Sequence, residues 1–586
     1  NIKYHAINSF MSRGLLVSRS RNLKLAQIAR KNPSLENKNK YKRYRLVYNN
    51  LIRAAKKRHY NKKIASAGTD SRKLWSSIKE AINIPAKNSL IGPIVNDENI
   101  LLYDDVQKAN FFNTFFSSIG NRTADFIPTS SCSFRDFLPP PCPNSIFFQP
   151  VSQECFANFT LSMKPKLSND INGLNMRFLQ SVIHEIKHPL TYIFNLSIET
   201  GTFPNCLKTS KCIPIYKGKG DKTLLDNYRL VCLVDNFSKC FEKIICSRLL
   251  DFLNESDFFI DTQFGFRKRL STKHAILSII NFITKNLNDN KYVLAIFLDV
   301  MKAFDSVEHD ILFSKLENAG ITLSCCKSYF ENRFQKVFLN GVFSDNLCRI
   351  VLGVLQGSIL GVILFLIMVN DIHFSCPELC NIIFADNDST LVEDISLEGV
   401  IEKANLGLSK LVDWYSSNKL AIHPGKSKCM LFHNSNRRNL SSNNNNNDQI
   451  DIQNDLVANN TYLPIFINLN NVGETNITKI SLVKMVPNSE EQTIKVLGFL
   501  LDNKLNLKAH IDFVHSKVSR ALYSLKQMKN LLDSKHLKLL FFAYVKSHID
   551  YADIFYSLCN KKTLYPLEIL YKKAIRIVSG VNYRDH

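Results

Sequence analysis

The sequence predicts an α+β protein with a mixed core of strands and helices and helical segments before and after it. Between residues 150 and 432, short apolar runs typical of strands alternate with helical segments, and loops with Gly and Pro separate them. Residues 34–85 and the segment beyond Asn503 show helical periodicity instead. At 586 residues the chain is too long for one ordinary core, so we expect several subdomains around a large central unit.

The charge balance predicts a polyanionic partner. The chain has 75 Lys and Arg residues against 51 Asp and Glu residues, a formal net charge of +24, which suits nucleic acid or an anionic membrane surface. The longest apolar run, at Gly361–Val369, is well short of the roughly 20 residues that a membrane-spanning helix needs. We therefore expect a nucleic acid partner and no membrane insertion. The 15 cysteines contain no CxxC pair, which indicates free thiols and argues against a zinc knuckle.

The first predicted element is a basic helical segment. Within Lys40–Lys63 the Lys and Arg residues alternate with tyrosines, a mixture that suits phosphate contact and base stacking. The same segment also fits a solvated amphipathic helix whose stripe of Val47, Leu51 and Ala55 packs on a neighbour. The two interpretations are compatible, and the sequence leaves both open.

Two apolar, strand-like runs end in aspartates. The run VLAIFLDV at 293–300 contains Asp299, and NIIFADND at 381–388 ends in Asp386, Asn387 and Asp388. A carboxylate at the end of a buried strand is costly unless a cation or a hydrogen-bond donor accompanies it. Two such strand ends could hold a pair of divalent ions, as nucleotidyl transfer requires. Strand-end aspartates also cap helices, so spacing alone leaves the metal interpretation open.

Eight blocks, taken in order, resemble the reverse transcriptase blocks of non-LTR (LINE-like) retrotransposons of the jockey type. They are KCIPIYKGKGDKTLLDNYRLVCL at 211–233, SKCFEKII at 238–245, QFGFRKRLST at 263–272, FLDVMKAFD at 297–305, GVLQGSILG at 353–361, FADNDSTL at 384–391, NKLAIHPGKSK at 418–428 and IKVLGFLLD at 494–502. The resemblance implies an RNA-directed DNA polymerase with a right-hand fold: fingers, a ferredoxin-like palm and a helical thumb, preceded by a basic helical extension. It also implies two Mg²⁺ ions, template RNA, primer or target DNA and dNTPs, in the nucleus and in a cytoplasmic ribonucleoprotein.

The resemblance assigns roles to single residues. Asp299 and Asp386 match the two metal-binding aspartates of the palm, and Asp388 matches the third. Phe304 matches the bulky aromatic residue that excludes a ribose 2′ hydroxyl and so selects dNTPs.

Five further positions match substrate-contacting residues of the family. Lys217 and Arg229 match basic residues that contact the incoming triphosphate, a role suited to a point charge and a forked donor. Gln356 and Gly357 match the block where template and nucleotide pack closely. Lys426 matches a lysine near the triphosphate, which implies a proton donor to pyrophosphate.

The sequence also departs from the family pattern. The family shows two adjacent aspartates where Asn387 separates Asp386 from Asp388, and the simplest alignment is a one-residue insertion. One extra residue would turn Asp388 away or enlarge the hairpin turn, because strand side chains alternate between faces. Other departures replace a small residue or prolines of the family: Met301, Leu230, Leu355 and Val362. A retrotransposon-derived nucleic-acid-binding protein without catalysis is therefore the alternative function. A cellular relative, such as an intron maturase or telomerase, fits the blocks after residue 494 less well.

These observations predict five segments. Residues 1–126 form a basic helical linker that follows a missing endonuclease, and a Pro-rich linker occupies 127–150. Fingers and palm occupy 151–432. The Asn-rich segment 433–490 is expected to be a flexible insertion. The end of the palm and a helical thumb occupy 491–586, where Ile511, Val514, Val518, Leu522 and Leu525 recur at helical spacing.

Overall fold

A computed structural model describes residues 10–68, 70–81, 90–322, 324–423, 425–434, 466–468, 479–481 and 493–581. The chain divides into two compact units. The helical unit comprises the described residues of 1–88 and 499–586, and the central unit comprises those of 89–498. Both units contain α-helices, strands and short 3₁₀ turns.

The helices are α1 Arg13–Lys31, α2 Leu35–Ala67, α3 Ser71–Ala81, α4 Asp105–Ser117, α5 Ile119–Ala124, α6 Gln153–Leu161, α7 Met176–Thr200, α8 Asn236–Glu255, α9 Thr272–Asn288, α10 His309–Asn318, α11 Ser324–Phe330, α12 Leu360–Val369, α13 Ile372–Ser375, α14 Leu397–Ser417, α15 Lys508–Met528, α16 Ser534–Phe541, α17 Ser547–Ile549 and α18 Lys561–Ser579. The 3₁₀ turns are Phe134–Phe137, Asn205–Leu207, Leu225–Asn227, Ala303–Asp305 and Asp553–Leu558, and one π-helical turn spans Phe542–Lys546.

The strands are β1 Ile94–Val95, β2 Leu101–Leu102, β3 Thr209–Tyr216, β4 Tyr228–Leu233, β5 Tyr292–Asp299, β6 Phe334–Leu339, β7 Val342–Phe343, β8 Cys348–Arg349, β9 Cys380–Phe384, β10 Asn387–Asp394, β11 Lys428–Phe432, β12 Phe466–Asn468, β13 Lys479–Ser481, β14 Thr493–Val496 and β15 Phe499–Asp502.

A four-stranded antiparallel sheet lies in the middle of the central unit, in the order β11-β5-β10-β9. Strand β5 is an inner strand, and its residues 293–296 are completely buried, which explains the apolar run in the sequence. Strands β5 and β10 pair without interruption from Asp299 opposite Asn387 to Tyr292 opposite Asp394. The carboxyl end of β5 therefore lies beside the turn between β9 and β10.

A second sheet in the central unit has the order β4-β3-β6-β7, and β8 also pairs with β6. Strands β3 and β6 are parallel, and the other pairs are antiparallel. Strand β3 ends at Tyr216, and the chain returns along β4 from Tyr228. The connection between these strands carries Lys217 and the acidic residues Asp221 and Asp226.

The main core of the central unit packs around helix α12. Nine of its ten residues are buried, as expected for a helix that is apolar on all sides. Of the described helices, not one has both the length and the apolar character to cross a bilayer. The 15 cysteines form no disulfide bond in this structure, and their redox state stays a prediction.

The helical unit has its own core, centred on α15. The five predicted positions on α15, from Ile511 to Leu525, are buried, so the predicted stripe is confirmed. Tyr60 and Ile64 of α2 and Ile78 of α3 belong to the same core. Helix α2 ends before Gly68, which has a positive φ of 52°.

The two compact units divide the chain near residues 88 and 498. They do not separate fingers, palm and linkers, so the five-segment division stays a prediction. The predicted flexible insertion at 433–490 lies mostly outside the described residues. Within it, β12 and β13 are described and pair antiparallel.

Candidate active site

The two predicted strand ends meet at one corner of the four-stranded sheet. Asp299 is the last residue of β5, and Asp386 lies in the two-residue turn that joins β9 to β10. Partial desolvation first, and then the charge of the nearby Asp299, raise the pKa of Asp386. The structure therefore brings these two candidate metal ligands together.

The turn that carries Asp386 is tight and supported from outside. Ala385 adopts a left-handed φ of 58°, and Phe384 pairs with Asn387 across the turn. Gly265 packs against this turn, where an added Cβ would lie 2.4 Å from the Ala385 nitrogen. A side chain at residue 265 would therefore displace the turn.

Asp388 lies on the other face of the hairpin from the exposed side chains at its tip. It pairs with Leu298, its side chain is buried, and its carboxylate accepts hydrogen bonds from Tyr415 Oη at 3.2 Å and Thr390 Oγ1 at 3.4 Å. Burial raises the pKa of Asp388 to about 7. The structure does not bring Asp388 to the corner where Asp299 and Asp386 meet.

Asn387 occupies the position beside the acidic pair. It pairs with Asp299 across the strands, is exposed, and donates from Nδ2 to Asp386 Oδ1 at 3.2 Å. The hairpin has no enlarged turn and β10 has no bulge, so the extra residue is not accommodated locally. An insertion is expected either to turn Asp388 away or to enlarge the hairpin turn. In the structure Asp388 is turned away and the turn is not enlarged.

Basic residues from the β3–β4 connection face the acidic corner. Lys217 follows β3 and donates from Nζ to the carbonyl oxygen of Asp226 at 2.6 Å. Its pKa is lowered to about 8, by burial first and then by the charges of Lys302 and Lys426, with a smaller effect of Arg229. Arg229 is exposed on β4, and its charge opposes the rise of the Asp386 pKa. Lys217 and Arg229 thus lie within electrostatic reach of the corner.

A loop before β11 adds a third predicted cation. The Lys426 Nζ lies 4.0 Å from Asp299 Oδ1, and both side chains are about half exposed, at 59% and 46%. The loop is fixed to the end of β5 because His423 N donates to the Asp299 carbonyl at 2.7 Å and Ser427 Oγ accepts from Asp299 N at 3.2 Å. An exposed ion pair at this distance contributes little to stability, so Lys426 remains available to another anion.

Lys302 belongs to the same cluster, although sequence reasoning did not single it out. It lies three residues after Asp299 with a left-handed φ of 47°, and its Nζ is 3.5 Å from Asp226 Oδ1. The signal available in the sequence was a lysine between the strand-end aspartate and Phe304. Its direction depends on the backbone conformation, which the sequence does not reveal.

The remaining predicted residues lie around the cluster. Phe304 stacks on Phe365 of α12 at 4.4 Å between ring centroids and is partly buried. The Gln356 carbonyl accepts a hydrogen bond from Cys232 N at 2.9 Å. Gly357 has a φ of 119°, and an added Cβ would lie 2.5 Å from the Cys232 carbonyl oxygen. In this structure the glycine permits close approach to strand β4, and a role towards substrate stays a prediction.

The acidic corner fits a divalent cation. Two neighbouring carboxylates are stabilised by a positive charge between them, and carboxylate oxygens are the ligands that Mg²⁺ prefers. Within the part of the chain that the structure describes, no three His, Cys, Asp or Glu side chains gather into a group that could hold a metal ion. The candidate metal centre is therefore the pair Asp299 and Asp386, to which substrate oxygens could add further ligands.

Comparison with known proteins shows a match to a polymerase family and to several relatives. Residues 216–501 match the family model described as "Reverse transcriptase (RNA-dependent DNA polymerase)". The chain is 23% identical to the RNA-directed DNA polymerase from mobile element jockey of Drosophila melanogaster over 470 residues, which cover 78% of this chain and 47% of that protein. It is 26% identical to the probable RNA-directed DNA polymerase from transposon BS of the same species, over 64% of this chain and 43% of that protein. The chain spans about half the length of the curated relatives it matches.

Residues 216–501 therefore match a family that implies a right-hand polymerase fold, and the mixed α+β architecture is consistent with it. The relatives are named as polymerases of mobile elements and transposons, so the resemblance to non-LTR retrotransposon reverse transcriptases seen in the eight sequence blocks is confirmed.

Proposed function

We propose that this chain acts as the RNA-directed DNA polymerase of a non-LTR retrotransposon and adds dNTPs to a DNA 3′ end on an RNA template. The observation that carries this proposal is the corner where Asp299 and Asp386 meet, with Lys217, Arg229 and Lys426 around it. Carboxylates for divalent ions beside cations for a triphosphate are what nucleotidyl transfer needs in one place.

The fold suggests how the parts divide. The four-stranded sheet with Asp299 and Asp386 corresponds to the palm, and the β3–β4 hairpin with Lys217 and Arg229 corresponds to the fingers. The helices from α15 to α18 correspond to the thumb.

Each residue of the site has a proposed task. Asp299 and Asp386 would hold two Mg²⁺ ions, which when bound make the primer 3′ hydroxyl more acidic and neutralise charge on the leaving pyrophosphate. Lys217 and Arg229 bind the triphosphate and orient it. Lys426 moves a proton to the pyrophosphate oxygen, and Phe304 excludes a ribose 2′ hydroxyl by its bulk.

The first two helices supply a surface for template RNA or target DNA. Residues 13–67 contain 17 Lys and Arg residues and a single acidic residue, Glu36. Val47 and Leu51 are 53% and 45% exposed, so the apolar stripe considered for α2 is not buried, whereas Arg21 lies over the Tyr44 ring at 5.4 Å. Such a surface binds phosphates with strong salt dependence. We propose that it holds the chain in a ribonucleoprotein in the cytoplasm and on DNA in the nucleus.

A second function rests on a different observation. Asn387 supplies an amide where a second carboxylate would stand, and Asp388 is buried on the opposite face. A site with two carboxylates binds metal ions less tightly than one with three. A nucleic-acid-binding protein without polymerase activity is therefore the alternative.

Primer extension distinguishes the two functions. The purified chain is given an RNA template, a DNA primer, dNTPs and Mg²⁺, beside Asp299→Ala and Asn387→Asp variants. Extension by the unchanged chain that Asp299→Ala abolishes supports the polymerase. Extension by Asn387→Asp alone means that the unchanged chain lacks a working metal site, and salt-sensitive RNA binding by the unchanged chain would then establish the alternative.

The Asn387 deletion provides the matched control. It restores adjacent aspartates in the sequence but shifts the whole of β10 by one residue against β5 and β9, because their pairing is uninterrupted. We expect the deletion to destabilise the central unit, whereas Asn387→Asp keeps the register. Equal thermal stability of the two variants would show that the hairpin absorbs the shift.

A further inference from the structure

The lysine that follows the acidic corner has an unusual environment. The Lys302 Nζ is buried and has no hydrogen-bond partner among the described residues, and the nearest carboxylate oxygen, Asp226 Oδ1, is 3.5 Å away. That distance exceeds the 2.7–3.2 Å typical of an N–H···O hydrogen bond. A buried ammonium group without a hydrogen-bond acceptor is costly, and the Phe116 ring, whose centroid is 5.6 Å from Nζ, offsets that cost only in part.

The backbone at this position is also strained. Lys302 has φ 47° and ψ 39°, a left-handed conformation that costs a residue with a side chain about 1–2 kcal/mol. The turn is stabilised on its far side, where Asp305 N donates to the Lys302 carbonyl at 2.7 Å. Strained residues of this kind cluster at ligand-binding sites, because the surrounding structure must hold them in place.

Asp226 gathers two lysines in the structure. Lys217 donates to its backbone carbonyl at 2.6 Å, and Lys302 lies near its carboxylate. The Asp226 side chain is 76% exposed, whereas that of Lys302 is 19% exposed, so the carboxylate approaches from the solvent side. Lys426 and Arg229 add charge to the same neighbourhood, as their effects on Lys217 show. Four cations thus converge near two carboxylates: Asp226, which is exposed and nearest to Lys302, and Asp305, whose pKa the charges of Lys302 and Lys217 lower against the larger raising effect of burial.

We propose that Lys302 is a further triphosphate-binding residue and that Asp226 occupies its anion position until a polyphosphate displaces it. The proposal rests on the proposed function, because it names a contact for the nucleotide at that same site. An incoming polyphosphate offers several oxygens to Lys217 and Lys302 together and releases Asp226 to solvent. The rival explanation is a latch, in which the ion pair of Lys302 and Asp226 only ties the loop after β5 to the β3–β4 connection.

The test reads the site through Lys217, whose ammonium group is partly deprotonated near pH 8 and can therefore be acetylated. The probe is inorganic tripolyphosphate without metal, template or primer. Acetylation of Lys217 is followed by peptide mass spectrometry at rising probe concentrations, and half-protection gives the affinity at this site alone. Binding of the probe to the basic helices α1 and α2 does not enter this readout.

The variants separate the two explanations by the sign of their effects. We expect Lys302→Met to raise the half-protection concentration about tenfold or more, since a charge-assisted hydrogen bond is lost. Lys302→Arg keeps the charge and should stay within about threefold of the unchanged chain. Asp226→Asn removes the competing anion and should lower the value. Lys285→Met, at an exposed lysine in the last turn of α9, is the control for the loss of one charge.

Three results would overturn the proposal. Tripolyphosphate could fail to protect Lys217 in the unchanged chain, or Lys302→Met could behave like Lys285→Met. A loss of protection in Asp226→Asn as large as that in Lys302→Met would establish the latch instead. None of these results depends on primer extension, so an inactive polymerase and a failed Lys302 proposal are distinguishable.

Discussion

The central unit contains two charged clusters that differ in how their charges are compensated. In the closed cluster, Lys315 Nζ donates to Asp371 Oδ1 at 2.8 Å and to the Met368 carbonyl at 2.6 Å, and Trp414 Nε1 donates to the same Asp371 oxygen at 3.2 Å. The open cluster is the corner of Asp299 and Asp386 with the lysines around it, where the pairs are 3.5–4.0 Å apart. The closed cluster is sealed from solvent, and the open one is not.

This difference in charge compensation indicates that the closed cluster serves stability and the open cluster serves function. Charges that compensate one another inside a core hold the fold together, and the loss of one partner leaves the other buried and unpaired. Charges that stay uncompensated at a solvent-facing corner can bind an external ion or substrate. Substitutions should therefore change stability in the closed cluster and activity in the open one.

The largest expected effect on stability is that of Asp371→Ala. It leaves the Lys315 ammonium group buried without its carboxylate, which should lower the free energy of unfolding of the central unit by about 3–5 kcal/mol. Urea unfolding followed by tryptophan fluorescence measures it, in a Trp75→Phe background so that Trp414 is the only reporter. The combined Lys315→Met and Asp371→Leu variant is the control, because it removes both charges and should be far less destabilised. An unchanged urea midpoint of unfolding in Asp371→Ala would show that the closed cluster does not stabilise the fold.

Asp388 is buried like the closed cluster, although it lies next to the open one in the sequence. It should make the stability of the central unit depend on pH. Its pKa is raised to about 7 in the folded chain, above its ordinary value, so the folded state holds a proton that the unfolded state releases. The contribution of Asp388 to stability should therefore be greatest below about pH 4 and fall as pH rises from about 4 to about 7, by roughly 1.4 kcal/mol per pH unit. The Asp388→Asn variant should lack this component, which urea unfolding at several pH values would detect. Parallel pH profiles for the two chains would contradict the burial of Asp388.

Tyr415→Phe should have a smaller effect. It removes the hydrogen bond from Tyr415 Oη to Asp388 Oδ2 and should cost about 1 kcal/mol. Since this bond lowers the pKa of Asp388, its loss should also move the pH dependence to higher pH. Unfolding of the double variant with Asp388→Asn gives the coupling energy, and additivity of the two substitutions would show that the groups do not interact.

Asp299→Asn should have the smallest effect on stability. Asp299 is 46% exposed and repels Asp386, so the free energy of unfolding should change by less than about 0.5 kcal/mol. Primer extension by the same variant should fall by about a thousandfold, since a metal ligand contributes several kcal/mol to the transition state. A large loss of stability in Asp299→Asn would show that Asp299 stabilises the fold.

Much of the fold follows from the sequence pattern. The apolar run before Asp299 is an inner strand, and the helical stripe from Ile511 to Leu525 is buried along α15. Both predictions succeed because burial of apolar residues at a fixed period depends on local pattern. The predicted association of Asp299 with Asp386 also agrees with the structure, because Asp299 ends β5 and Asp386 lies in the turn at the same edge of that sheet.

The sequence by itself determined the order of the eight blocks, their resemblance to reverse transcriptases, and the alternation of strands and helices between residues 150 and 432. Only the tertiary structure decided that Asp388 faces Tyr415, that Asn387 faces Asp299, and that Lys302 joins the cations around Asp226. The reason is that the face of a strand residue depends on register and turn length, and the direction of Lys302 depends on a left-handed backbone. Both are fixed by contacts between segments far apart in the chain, which no local pattern specifies.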